Sequence, residues 1–273
     1  MRFAFSTHVF AQMPLSEAHL ADLAAADFRA IELYPTAGHF SLADADRLRP
    51  WLERHRTSVT TVHAPAARGG DGPGQRTATL ASGDDTLRIA AVDAATQALA
   101  VAGALHVGLV VVDTGAAAAK HGEVSRAALC RSLDTLAELA ARSETRLAVE
   151  IAPAKPFDVE ALVDLLEDEI DHPAVGLCFD CGHAHLQGDA IESLESASGH
   201  VLAVHLNDNH GRNDDHLLPF EGSIDWAAMI MTLQKVGFDG PLVFTPSPGR
   251  PLAELVRRAQ ASRQRLEDLA GAE

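Results

Sequence analysis

Short apolar runs alternate with longer Ala/Leu-rich amphipathic stretches along the whole chain. The runs read as strands at Arg2–Phe5, Ala30–Leu33, Val59–His63, His106–Val112, Arg146–Ile151, Val175–Asp180, Val201–Leu206 and Pro241–Thr245. Helical periodicity fills the intervals at Ser16–Ala25, Ser41–Arg54, Asp84–Val101, Ser125–Arg142, Phe157–Leu166, Ala190–Ser196 and Ile224–Val236, with a last helix from about Pro251 to Ala270. Ser16 and Ser41 read as N-caps, and Pro251 suits a first helical turn. Strand followed by helix, repeated throughout, predicts an α/β chain closed into a (β/α)8 TIM barrel, one domain over residues 1–273. The other option, an open doubly wound sheet, more often shows a glycine fingerprint after its first strand; this chain has none.

Several runs end on acid or imidazole side chains: His63, Asp113, Glu150, Asp180 and His205, with His183 just beyond the sixth run. In a barrel these strand ends and the loops after them form the active face. Glu150, Asp180 and His205 delivered to one rim would build a divalent-metal site, and their mixed oxygen and imidazole donors suit Mn, Zn, Mg, Co or Fe. The loop after the seventh run adds Asn207, Asp208, Asn209, His210, Arg212, Asp214 and His216. Arg212 and Arg250 are candidates to hold a phosphate or carboxylate, or plain surface arginines. His8 and Glu32 also lie at strand ends, to bind substrate or brace loops, and Phe220 and Trp226 offer an apolar wall or helix packing. His106 belongs to the opposite rim, and Cys178 shares a side with Asp180, as barrel packing rather than half of a redox pair.

Composition narrows the partners. The net charge of −16 argues against nucleic acid, whose binding relies on Lys and Arg. Three cysteines suit a reducing compartment, and no leader-like or membrane-length apolar run stands out, so a cytoplasmic protein with no membrane partner is expected. A homo-oligomer is left open. The Gly-rich piece Ala67–Arg76 lacks the Lys-Ser/Thr ending of a phosphate loop and reads as a long βα-loop, floppy or lid-forming.

Val62-His63-Ala64-Pro65, Asp180-Cys181-Gly182-His183-Ala184, His205-Leu206-Asn207-Asp208-Asn209-His210-Gly211, Asp214-Asp215-His216 and Ile224-Asp225-Trp226 together resemble the xylose-isomerase-like TIM barrels. That superfamily holds sugar and sugar-phosphate isomerases and epimerases, inosose dehydratases and endonuclease IV-type nucleases. In its isomerase branch the resemblance implies metal ligands at Glu150, Asp180 and His205, and a fourth acid at the end of the eighth strand, where this chain has Thr245. In its nuclease branch it implies further ligands at His63, Asp113, His183, Asp214 and His216, with Asp113 in place of a His and Phe220 in place of a Gly.

Thr245 is a poor ligand and a poor base at neutral pH, so the acid/base work passes to Glu150 and His183, with Glu221 and Lys155 as weaker substitutes. The expected activity is a metal-dependent isomerase or epimerase moving a proton beside the carbonyl of a small carbohydrate-like molecule: a sugar, sugar phosphate or polyol ketone. The alternatives are a related lyase or dehydratase, a multinuclear phosphodiesterase or apurinic-endonuclease-like hydrolase, and a catalytically degenerate binding protein in which Thr245 marks the loss.

Overall fold

The structure, a computed structural model, describes residues 1–69, 76–115, 124–170 and 172–271. Its strands are β1 (Arg2–Ser6), β2 (Ala30–Leu33), β3 (Ser58–His63), β4 (Ala67–Gly69), β5 (Arg76–Ala78), β6 (Leu109–Asp113), β7 (Arg146–Glu150), β8 (Val175–Asp180), β9 (Val201–Leu206) and β10 (Pro241–Phe244). Eight of them close in the order β1-β10-β9-β8-β7-β6-β3-β2, with every pairing parallel. The helices α1 (Glu17–Ala25), α2 (Ala45–His55), α3 (Asp85–Leu105), α4 (Arg126–Arg142), α5 (Val159–Asp168), α6 (Cys181–Gln187), α7 (Ala190–Ala197), α8 (Trp226–Lys235) and α9 (Leu252–Gly271) fill the connections. This is the expected TIM barrel.

Two-residue alternation along each strand sorts the side chains. Leu147, Val149, Leu177, Phe179 and Val204 join the large cluster between sheet and helices. Their neighbours face inward and are small: Val111, Ala148, Cys178 and Ala203 pack with Leu109, while Ala4, Ala30 and Val243 pack together. Two positions beyond these inner residues stand Asp113, Glu150, Asp180, His205, Ser6, Glu32 and Thr245. A polar layer therefore lies directly over a small apolar plug. Register levels it, with Asp113 opposite Glu150 and Asp180 opposite His205.

Five local expectations change. The fourth barrel strand starts at Leu109 rather than His106, because α3 runs on to Leu105 and His106 closes it in the left-handed conformation, φ 56°. Ala98, Leu99 and Val101 are buried, and Ala102 carries that buried face past Val101. This 21-residue helix, with mean hydropathy 1.2, is also long and apolar enough by composition to cross a membrane, contrary to the sequence reading. It carries Asp85, Arg88 and Asp93 and packs Leu87, Ala91, Ala95 and Ala98 inward as a barrel helix. Ser41 caps a short 3-10 turn, Leu42–Asp44, before α2. After β8 the chain makes two helices, since Asp180 caps an unforeseen α6 by accepting from His183 N at 2.8 Å. The Gly-rich connection after β3 begins and ends as the antiparallel pair β4–β5; residues 70–75, the middle of the loop read as floppy or lid-forming, lie outside the described residues.

The long loop from β9 to α8 is built on one buried carboxylate. Asp208 Oδ1 accepts from Asn209 N (2.8 Å) and Ile224 N (3.2 Å), and Oδ2 accepts from Phe220 N (3.1 Å), Gly222 N (3.0 Å) and Trp226 Nε1 (2.8 Å). Gly222 sits so close that a Cβ there would lie 2.3 Å from both Asp208 Oδ1 and Asn209 O. The loop folds around this anion and returns Asp214 and His216 to the barrel mouth. Asp208→Ala would leave these donors buried without an acceptor, so thermal or denaturant unfolding is expected to show a loss of about 3 kcal/mol or more. A change under about 0.5 kcal/mol, the size of an ordinary surface substitution, would contradict the hub role.

Candidate functional site

The polar layer opens into a cavity of about 200 Å³ at the C-terminal end of the barrel. Its walls include Ser6, His8, Glu32, Tyr34, His63, Asp113, Glu150, His183, His205, Asp214, His216 and Thr245. The three ligands expected first do converge: His205 Nδ1 lies 3.3 Å from Glu150 Oε1 and 3.8 Å from Asp180 Oδ2. Asp180 sits at the base of this group, fully buried, its Oδ2 accepting from Asn207 Nδ2 at 2.6 Å.

Among the described residues, ligand-type atoms gather in three overlapping sets, each within 4.8 Å: His63, Glu150 and His205; Glu150, Asp180 and His183; His183, Asp214 and His216. Glu150 links the first two sets, and His183 the last two. His63 Nε2 is 2.9 Å from Glu150 Oε2, whereas Asp214 stands between His183 Nε2 (3.3 Å) and His216 Nε2 (3.4 Å). Asp113 lines the mouth, its Oδ1 turned to Gly115 N.

The histidines share one design. His63 Nδ1 bonds Ala64 O (2.9 Å), His183 Nδ1 bonds Ile151 O (2.8 Å) and His216 Nδ1 bonds Thr245 O (2.7 Å). A carbonyl only accepts, so each Nδ1 carries the proton and each Nε2 is turned toward a carboxylate. His205 is held in the reverse sense, with Nε2 on Glu32 Oε2 at 3.1 Å and Nδ1 toward Glu150. Fixing one ring nitrogen and directing the other at a carboxylate is how metal-binding imidazoles are oriented. The donor set therefore fits a divalent cation.

Charge tells the same story. Burial opposes ionisation of Glu150, but the imidazoles of His205 and His63 outweigh it and hold the carboxyl well below its ordinary range. Burial likewise disfavours charge on His183, yet Asp180, the Asp214 hydrogen bond and Glu150 lift it to about 10. His216 is lifted to about 9 against its burial by Asp214 and Asp180. With no cation, protons on the imidazoles balance the buried acids; a metal ion would take their place. His8, dried by burial and repelled by His216 and His63, falls to about 4 and stays neutral.

Other expected residues lie elsewhere. Arg212 is exposed and does not line the cavity. Glu221 is also outside it, bound by Arg250 Nη1 at 2.9 and 2.8 Å and by Arg258 Nε at 2.7 Å, so both Glu221 and Arg250 are engaged with each other. Lys155 is exposed and pairs with Asp158 at 3.6 Å. Phe220 and Trp226 pack together, centroids 6.1 Å apart, as part of the loop–helix core. Thr245 is at the cavity, where its Oγ1 accepts from Asn207 Nδ2 at 3.2 Å. Sequence reasoning left Tyr34 and Asn207 without a role. Tyr34, the chain's only tyrosine, stands edge-on to His8 with centroids 5.5 Å apart, and its parity with Glu32 was the available signal.

The model of the family described as xylose isomerase-like TIM barrel matches residues 20–268. An uncharacterized protein of Sinorhizobium fredii, y4fM, is 33% identical over 146 residues, 52% of this chain and 47% of that protein. An inosose isomerase of Bacillus licheniformis is 33% identical over 76 residues, 25% of this chain and 27% of its own length. The chain thus spans less than half the length of these curated relatives. Among solved structures, a D-tagatose 3-epimerase-like protein superposes with a TM-score of 0.81 at 21% identity, covering 99% of this chain and 98% of its own. That likeness is one of fold.

In metal-free protein, Asp214→Asn removes the anion between His183 and His216. Both imidazoles are then expected to titrate at least about one pH unit lower, toward the ordinary histidine value, in NMR ring-proton titrations. Unmoved midpoints would contradict the arrangement.

Proposed function

The chain belongs to the xylose isomerase-like TIM barrel family, and within it we propose a divalent-metal-dependent isomerase or epimerase acting on a small carbohydrate-like carbonyl compound. The observation that carries this reading is the set of pinned imidazoles around Glu150 and Asp214, each with its second nitrogen turned toward a carboxylate of the site. In this reading His63, Glu150, Asp180 and His205 hold the cation. When bound, the cation supplies Lewis acidity toward a substrate carbonyl and fixed charge beside it.

The chain's own groups do the rest. Glu150, held well below the ordinary carboxylate range by His205 and His63, is suited to remain charged rather than to accept a proton. We therefore give proton transfer to His183. Its Nδ1–H is fixed by Ile151 O, and its Nε2 lies beside Asp214, whose charge favours the protonated ring, so that Nε2 is the atom that holds and gives up the proton. Thr245 contributes a neutral hydroxyl where the family's isomerase branch has an acid, which leaves the His183–Asp214 pair as the acid/base partner. Tyr34 and the neutral His8, packed edge to face, also line the cavity. The D-tagatose 3-epimerase-like and inosose isomerase names of similar proteins support a ketose or polyol-ketone substrate. A dehydratase would begin with the same proton abstraction.

A second reading rests on the His183–Asp214–His216 set, which shares His183 with its neighbour. If that set also held an ion, a multinuclear hydrolase would be favoured, and His183 would be a ligand instead. Elemental analysis and solvent-deuterium exchange divide the cases. The proposal expects one tightly held divalent ion and exchange into at least one ketose, inosose or phosphate of these. His183→Ala is expected to lower the exchange rate about 10²- to 10⁴-fold with metal content unchanged. Loss of an ion in that variant favours the hydrolase. No exchange with any of these compounds, in a protein that holds no second ion, favours a binding protein.

A further inference from the structure

His63, His183 and His216 take their orientation from backbone carbonyls that the loops leave free. His205 cannot. It lies inside β9, between β8 and β10, where strand carbonyls are committed to the parallel ladder. Its anchor has to be a side chain, and Glu32 is the residue that meets it. Glu32 is fully buried, and its Oε2 accepts from His205 Nε2 at 3.1 Å and from Thr61 Oγ1 at 3.0 Å. A register shift between Ile31 and Glu32 brings Thr61 opposite Glu32, so an irregularity in the β2–β3 ladder supplies the hydroxyl that steadies the carboxylate. The second oxygen, Oε1, is buried and has no hydrogen-bond partner among the described residues.

We propose that Glu32 is a positioning residue for His205: by accepting a hydrogen bond from Nε2–H it fixes the tautomer and turns the Nδ1 lone pair toward Glu150 and Asp180. This rests on the metal reading above for its consequence, though not for its geometry. Outer partners of this kind change metal affinity about 10- to 100-fold when removed. Glu32→Gln should preserve the effect, because its amide oxygen can accept both hydrogen bonds while its NH2 takes the place of the partnerless Oε1. Glu32→Ala should abolish it.

The test is titration of Mn(II) into metal-stripped parent, Glu32→Gln and Glu32→Ala by calorimetry, paired with ¹⁵N-resolved imidazole spectra of the metal-free proteins. Expected are affinity within about fivefold of the parent for Gln, a loss of about 10- to 100-fold for Ala, and disappearance of a protected His205 Nε2–H resonance in Ala alone. Unchanged affinity and an unchanged His205 resonance in Glu32→Ala would overturn the assignment. If the parent itself takes no Mn(II), the metal reading fails separately, and the resonance alone decides: its loss in Ala supports Glu32 as anchor, its persistence overturns that. Should Glu32→Ala not fold, Glu32→Met, which refills the space without an acceptor oxygen, carries the same expectations.

Discussion

A closed parallel barrel gives each strand one inward and one outward set of side chains, and its interior has room for little. In this chain the lower inward positions go to Ala4, Ala30, Ala148, Ala203, Cys178, Val111 and Val243. The next inward positions go to the groups that face the cavity and its floor. Because the alternation is fixed by the strand and the register by hydrogen bonding, the polar layer cannot sink or rotate without moving the apolar plug beneath it. Acids in such a layer are costly unless partnered, and Glu32, Glu150 and Asp180 all have side-chain partners.

The mouth is completed by a loop that brings its own scaffold. Asp208 gathers four backbone N–H groups and the Trp226 indole, so the path from β9 to α8 is set by a buried anion rather than by regular structure. Asp214 and His216 reach His183 from this loop. The floor of the site is thus as rigid as the sheet, and one wall is as rigid as a hydrogen-bonded hub. Such precision is what a group that must meet a substrate carbonyl and a cation together requires.

Much of this was legible in the chain. Glu150, Asp180 and His205 end apolar runs at the correct parity, which is why their convergence could be read before any coordinates. The barrel followed from the repeated strand–helix alternation. What failed to show was governed by contacts distant in sequence. Arg212 and Glu221 stood in the right loop, but the loop's course around Asp208 turns the first to solvent and sets the second against Arg250 and Arg258. Periodicity also gives no warning that Asp180 would nucleate α6, or that α3 would continue to Leu105, since both depend on capping and packing chosen by the tertiary structure. Glu32 had been visible as a strand-end acid; its contact with His205, across 173 residues of chain, had not.

The carbonyls that hold His63, His183 and His216 belong to Ala64, Ile151 and Thr245. A carbonyl is contributed by any amino acid, so mutation at these three places can reshape the chamber without releasing the rings. Position 245 illustrates the freedom: its hydroxyl serves Asn207, while its main chain still grips His216. Descendants of such a scaffold could diversify what they accept at the mouth by altering side chains alone, and inherit the imidazole geometry intact.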